Sequence, residues 1–142
     1  MSDFEAEIKI QDNSGKVLAE LEKGIERALF YAGNNIVNET TDYMGKIDFT
    51  GQDIVDTGRL RASLSYITPE ASGGGSQAQK VNDTIKGTAD NNSVLWGSNV
   101  EYAGYVNNGT SKKQARKFIQ NGYYNAEGKL KIGIEKILKG EL

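Results

Sequence analysis

The stretch WGSNVEYAGYVNNGTSKKQARKF, Trp96 to Phe118, decides how this chain is read. It holds the only Trp, two of the seven Tyr, a glycine stop and the start of a basic tail. Trp96, Val100, Tyr102, Ala103, Tyr105 and Val106 place the end of a strand beside about two turns of amphipathic helix. Gly109 then closes that helix, because a residue without Cβ enters positive φ cheaply. The stretch contains no arrangement of nucleophile, base or metal ligands. It reads as an aromatic core segment with a helix cap.

Upstream lies DTGRLRASLSYIT, residues 56–68, in which Asp56 or Thr57 can cap a short helical turn through a side-chain oxygen. Leu60, Leu64 and Ile67 give that turn and the following strand an apolar side. Arg59 and Arg61 flank it, either as surface charges paired with an acidic helix or as a subunit contact, where the fixed fork of guanidinium donors is favoured. Between the two stretches, Pro69 to Gln77 is the one low-complexity segment, and its triple Gly with flanking Ser has the composition of a flexible loop spanning about 69–80. A phosphate loop would need Lys-Ser or Lys-Thr after the last Gly, and Gly75 is followed by Ser-Gln-Ala-Gln. Val81, Asp83, Ile85 and Gly87 alternate with Lys80, Asn82, Thr84 and Lys86, which predicts a strand turning at 89–92 to pair with Ser93–Gly97.

At the amino end, Phe4, Ala6, Ile8 and Ile10 alternate with polar residues, the period of a half-buried strand, and Asp12–Gly15 supplies a turn. From about Lys16 the period becomes helical. Leu18, Leu21, Ile25, Ala28, Leu29, Ala32, Ile36 and Tyr43 recur three or four apart, widened by Val17, Phe30, Val37 and Met44. Gly24 and Gly33 inside this helix are expected to let it approach a sheet closely. Residues 45–56 lose periodicity and read as an ordered loop. Past the basic run Lys112–Lys117, the residues Phe118, Ile119, Gly122, Tyr123, Ala126, Leu130, Ile134, Ile137 and Leu138 predict a final amphipathic helix, loosened near Gly128. The expected fold is α+β: a small antiparallel sheet of about four strands packed against a long N-terminal helix, with a short central helix and a C-terminal helix, in a single domain over 1–142.

At 142 residues the chain can bury a core without disulfides, and with neither Cys nor His it excludes zinc fingers, thiol chemistry and histidine general bases. No metal or other cofactor is expected. No apolar run is long enough to span a membrane, and the start MSDFEAEIKI has no basic-then-apolar leader pattern, so a cytoplasmic chain is expected. The net charge of −2 argues against a dedicated nucleic-acid binder. That charge is divided unevenly: residues 1–56 carry 12 acidic and 5 basic side chains, and residues 112–142 carry 3 and 8. Either the two ends lie against each other in the monomer, or opposite-signed faces serve head-to-tail association between copies. Two other readings are an enzyme, with Asp48, Asp53, Asp56 and Glu101 as candidate carboxylates, and a DNA-contacting protein using Lys112–Lys117. No spacing selects a carboxylate pair.

The order of DTGRLRASLSY and, about 30 residues later, GSNVEYAGYVNNGTSKKQARKF resembles the small tail-completion and head-tail joining proteins of tailed bacteriophages. That family carries a long N-terminal helix, a V-D-T-G-x-L-R-x-S segment, a hairpin, V-x-Y-A-x-Y-V-E-x-G-T, then A-R-P-F and a closing helix. Val55, Asp56, Thr57, Gly58, Leu60, Arg61 and Ser63 match the first part. Val100, Tyr102, Ala103, Tyr105, Val106, Gly109, Thr110, Ala115, Arg116 and Phe118 match the second. Three positions depart: Ile54 replaces a Pro, Asn107 an acidic residue, and Lys117 the Pro before Phe118. The second change removes any salt bridge from that site, and the third is expected to leave the start of the last helix less fixed.

The resemblance implies a non-enzymatic structural protein of a phage or prophage, acting in virion assembly at the head-tail junction, as tail completion or in the neck. Implied partners are further copies in a ring and neighbouring neck or tail proteins, with nucleic acid incidental and no membrane. Implied locations are the host cytoplasm and then the virion. Arg59, Arg61, Lys112, Lys113, Arg116 and Lys117 are the candidate contacts. Asp56, Thr57, Gly58, Leu60, Trp96, Tyr102, Tyr105, Gly109 and Phe118 are the structural motif.

Overall fold

The computed structural model describes residues 4–9, 19–46, 57–74, 84–111, 115 and 117–140. The alternation at the amino end forms strand β1, Phe4–Lys9, and the helical period that follows forms α1, Ala19–Lys46. A short helix α2, Thr57–Ser63, leads into β2, Ser65–Ile67, and β3, Ser72–Gly74. Strand β4, Ser93–Ser98, precedes helix α3, Ala103–Asn108, and the chain closes on α4, Phe118–Leu138. The four strands form one antiparallel sheet in the order β1-β4-β2-β3. The architecture is the expected α+β arrangement.

Strand β4 lies inside the sheet, flanked by β1 and β2, and all six of its residues are buried. Ala6 and Tyr66 both stand opposite Trp96, so Ala6, Trp96 and Tyr66 share one face, with Val94 and Ile8 in the next rank. This face packs on α1 and α4, and with Ile25, Leu29, Ala32, Ile36, Val37, Met44, Phe118, Ile119, Ala126 and Leu130 it makes the main core. On the other face Ile67 and Leu95 are covered by Ile85, with Ala89 beside them. Residues 84–87 therefore act as a cover and not as the strand that alternation predicts, while the turn expected at 89–92 is present, with the Ser93 N–H donating to Asp90 O at 3.2 Å; β4 takes β1 and β2 as its partners. Residues 81–83 lie outside the described set, as do the turn at 12–15 and the loop at 47–56.

The glycine-rich segment also differs from its composition. Thr68 closes a hairpin, its N–H donating to Ala71 O at 2.7 Å, and Ser72–Gly74 returns as β3 against β2. A Cβ on Gly73 would lie 2.8 Å from the Tyr66 hydroxyl, and one on Gly33 of α1 would lie 2.5 Å from its ring. Both positions are small because one buried Tyr occupies the space beside them. Phe30, 45% exposed, meets the same ring edge-on at 5.7 Å, so it extends the apolar stripe of α1 at the surface. Residues 75–80 lie outside the described set.

Helices α1 and α4 run antiparallel, with Gly122 against Thr40 and Gly133 against Tyr31. A Cβ on Gly122 would fall onto the Thr40 hydroxyl and within 2.7 Å of Thr40 Cα; one on Gly133 would fall into the Tyr31 ring. Thr40 tolerates this buried site because its hydroxyl donates to Ile36 O at 2.6 Å within α1. Lys129 bridges to Glu39 at 2.8 Å, which joins the acidic and basic helices at one point. Gly24, expected against the sheet, instead faces α4: a Cβ there would lie 3.7 Å from Leu138 Cδ2, an ordinary contact. Helix α4 runs unbroken through Gly128, where the sequence predicts a loosening.

These contacts separate three glycines of similar sequence appearance. Gly33→Ala and Gly122→Ala should each destabilise the fold by about 1–3 kcal/mol through overpacking, whereas Gly128→Ala, with open space around it, should stabilise by up to about 1 kcal/mol. Urea unfolding of the three variants checks this ordering. Burial also raises the phenol pKa of Tyr66 above its ordinary 10.0, opposed by a hydrogen bond from Asn34. A raised folded pKa means stability is fully present below pH 10 and falls as pH rises through the folded value. We expect the alkaline loss measured by thermal melts between pH 9 and 12 to be smaller in Tyr66→Phe.

Candidate functional site

Helix α2 is fixed to the end of β4 through buried hydroxyls. Ser63 Oγ donates to Leu60 O at 2.6 Å, so the 2.6 Å contact between Ser63 Oγ and Ser98 Oγ has Ser98 as donor. Ser98 Oγ then accepts the Val100 N–H at 3.0 Å. Leu60 and Leu64 anchor the same helix in the core. Arg61, between them, is half-buried, and its Nε is buried with no hydrogen-bond partner among the described residues. Asn99 Oδ1, next to Ser98, is likewise buried and without a partner there. A buried donor left unpaired costs about 1–3 kcal/mol, so this position favours an acceptor brought from elsewhere.

Helix α3 ends at Gly109, whose φ of 78° is the positive value the sequence predicts, with its N–H on Tyr105 O at 2.8 Å. Asn107, one turn along, is almost fully buried and ties α3 to α4. Its backbone carbonyl accepts the Lys117 N–H at 2.9 Å, and its side-chain Oδ1 accepts the Ile119 N–H at 2.9 Å. The second bond satisfies one of the free amides at the start of α4, as a capping side chain does from within the helix. Lys117 is in the left-handed region, φ 49° and ψ 42°. A Pro there would have no N–H to give Asn107 and could not adopt this φ. The helix start that the sequence predicts to be less fixed is thus held by Asn107, itself another of the three departing positions.

The candidate contacts fall in different places. Arg61 is the half-buried cation just described, and Lys117 is exposed at the head of α4. Arg59 lies in α2 with its side chain outside the described set, and Lys112, Lys113 and Arg116 lie outside it altogether. Of the structural motif, Leu60, Trp96 and Phe118 are core residues, and Trp96 stacks on Tyr123 at 5.9 Å and 17°. Tyr102 is half-buried. Tyr105 is 67% exposed, so its ring is a surface feature and not the core position its spacing predicts. Thr57 and Gly58 begin α2, and Asp56 lies outside the described set.

Among the described residues no group of three or more acidic side chains is placed to hold a metal, and no helix is long and apolar enough to cross a membrane. Of the candidate carboxylates, Glu101 is exposed before α3, and Asp48, Asp53 and Asp56 lie outside the described set. Sequence reasoning missed Asn107, Ser63 and Ser98 as positioning groups; the signals were that Ser63 matched the first motif and that Asn107 broke an otherwise matching second one. Asn107→Ala should cost about 1–3 kcal/mol by leaving the Ile119 amide buried and unpaired. Hydrogen exchange should show the loss concentrated in the first turn of α4.

The family model described as "Bacteriophage HK97-gp10, putative tail-component" matches residues 8–109, more than two thirds of the chain. The matched region runs from the last two residues of β1 through Gly109, so it takes in α1, strands β2 to β4, Arg61 and α3 and stops before α4. No curated protein and no solved structure matches the chain. With the match covering the long helix, most of the sheet and the helix that Gly109 closes, the chain belongs to the HK97-gp10-like family of phage tail components.

Proposed function

We propose that this tail component acts at the head-tail junction, where copies assemble around the axis as a tail-completion or neck ring and join tail to head. The carrying observation is the family match over residues 8–109. Two features support the finer reading. The acidic first third and basic last fifth give the chain opposite-signed regions, which suit a heterologous contact between copies. Arg61 holds a buried guanidinium donor without a described acceptor, the kind of group that a neighbouring chain's carboxylate or carbonyl completes. The role is structural and uses no cofactor, with assembly in the host cytoplasm before the protein enters the virion.

The test is a phage lacking this gene, complemented by the wild-type chain or by Arg61→Glu, with particles viewed by electron microscopy. Filled heads beside unattached tails are the expected result without complementation. Arg61→Glu should fold normally by circular dichroism and restore joined particles at least tenfold less efficiently. Abnormally long or ragged tails would move the role to tail-length termination, and normal infectious particles would overturn the proposal.

A further inference from the structure

Among the described residues, the core is open along one edge of the sheet. Strand β1 is the edge, and no described strand pairs with its outer side. Its inward-facing Phe4, Ala6 and Ile8 are only half-buried, although Val94 and Trp96 beside them on β4, and Tyr66 beyond, are fully buried. Helix α4 roofs this edge. Ala6, Ile8, Trp96, Ile119, Tyr123 and Tyr124 line an open, mainly apolar groove of about 360 Å³, and Tyr124 is 66% exposed at its rim. Trp96 itself is 4% exposed, and its Nε1 is buried without a hydrogen-bond partner. A sheet edge, an apolar slot under a helix and an unpaired indole donor converge on one place.

We propose that β1 takes a fifth strand: an extended segment of another tail protein, antiparallel or parallel to Phe4–Lys9, with apolar residues at alternate positions and Lys or Arg between them. This rests on the reading of the chain as a tail component. Main-chain bonds along the edge supply affinity, and alternate side chains enter the slot under Tyr124, the division of labour in strand addition. The charge preference follows from the opposite face of β1, where Glu7 is exposed between Ala6 and Ile8, since opposite charges on neighbouring strands attract. A second copy of this chain is a poorer occupant. Its β3 edge, unpaired among the described residues, is Ser72, Gly73 and Gly74, with no apolar side chain for the slot, and its β1 would bring the same acidic residues.

The probe is the capped peptide Lys-Val-Lys-Ile-Lys-Val, titrated into the labelled full chain and followed by amide and indole NMR shifts. Shifts should concentrate at Phe4–Lys9 and at the Trp96 indole N–H. The peptide with every Lys replaced by Glu should bind several-fold more weakly, Glu7→Lys should reverse that order, and Tyr124→Ala should weaken binding about threefold or more. Tyr124 and Glu7 are exposed, so both variants keep the fold. No shift at these amides at millimolar peptide, or binding indifferent to peptide charge and to both variants, overturns the proposal. The same shifts on raising protein concentration without peptide also overturn it, in favour of a second copy. Failure here leaves the tail-component reading intact, because that reading is decided by the particles of the gene-deleted phage.

Discussion

Everything in this fold hangs on how closely α1 is approached from two sides. Its 28 residues span about 42 Å, roughly twice the length of the six-residue strands it lies on. Sheet and second helix are both organised along it. On the sheet side the Tyr66 ring fits only because Gly33 has no side chain; on the other, Gly122 and Gly133 admit Thr40 and Tyr31. Gly122 and Gly133 are eleven residues apart, about three helical turns, and so lie on one face of α4. Backbones that meet at this distance exclude water from the seam and leave no room for compensation by rotamer change. The position of α4, and with it the groove beside β1, follows from these small residues.

This constraint explains which parts of the fold are legible in the sequence. Helix α1 and strand β1 declare themselves because each has one buried and one wet face, so their periods survive in the residue pattern. The end of α3 is equally local: Gly109 supplies the positive φ where the sequence places it. Strand β4 has no such period, being buried on both faces as Ser-Val-Leu-Trp-Gly-Ser, and its partners are 30 and 90 residues away. The alternation at 81–87 looked more like its partner than β2 did. Pairing is decided by which face the whole sheet turns to α1, and no window of residues contains that information.

Glycine shows the same limit from another direction. Composition treats Gly73 and Gly74 as linker and Gly128 as a weak point, and expects Gly33 to let α1 approach the sheet. Packing agrees only for Gly33, which lies by the Tyr66 ring: Gly73 lies by the Tyr66 hydroxyl, and a Cβ on Gly128 would meet nothing within 4 Å. A missing Cβ carries meaning only through the side chain that uses the space. For Asn107 the pattern marked a lost carboxylate, and the geometry shows what that position does: it presents an oxygen to the first turn of α4. An amide and a carboxylate both accept that hydrogen bond, while only the carboxylate adds charge at the positive end of the helix.

The candidate contacts were the least legible, and for a physical reason. A catalytic site is defined by groups within one chain, but a contact is completed by its partner. Arg61 could be named from its place beside Leu60, yet its distinguishing feature, a buried donor without a described acceptor, belongs to the tertiary structure alone. The charge division argues in the same direction. Among the described residues one ion pair, Lys129 to Glu39, joins the acidic helix to the basic one, and its lysine is 64% exposed. A pair in that setting is screened by solvent and adds little to stability. Most of the charge on α4, including Lys131 and Lys136, stays on the solvent side. Packing α1 on α4 therefore uses glycines and aromatic rings for cohesion and leaves these charges on the solvent side.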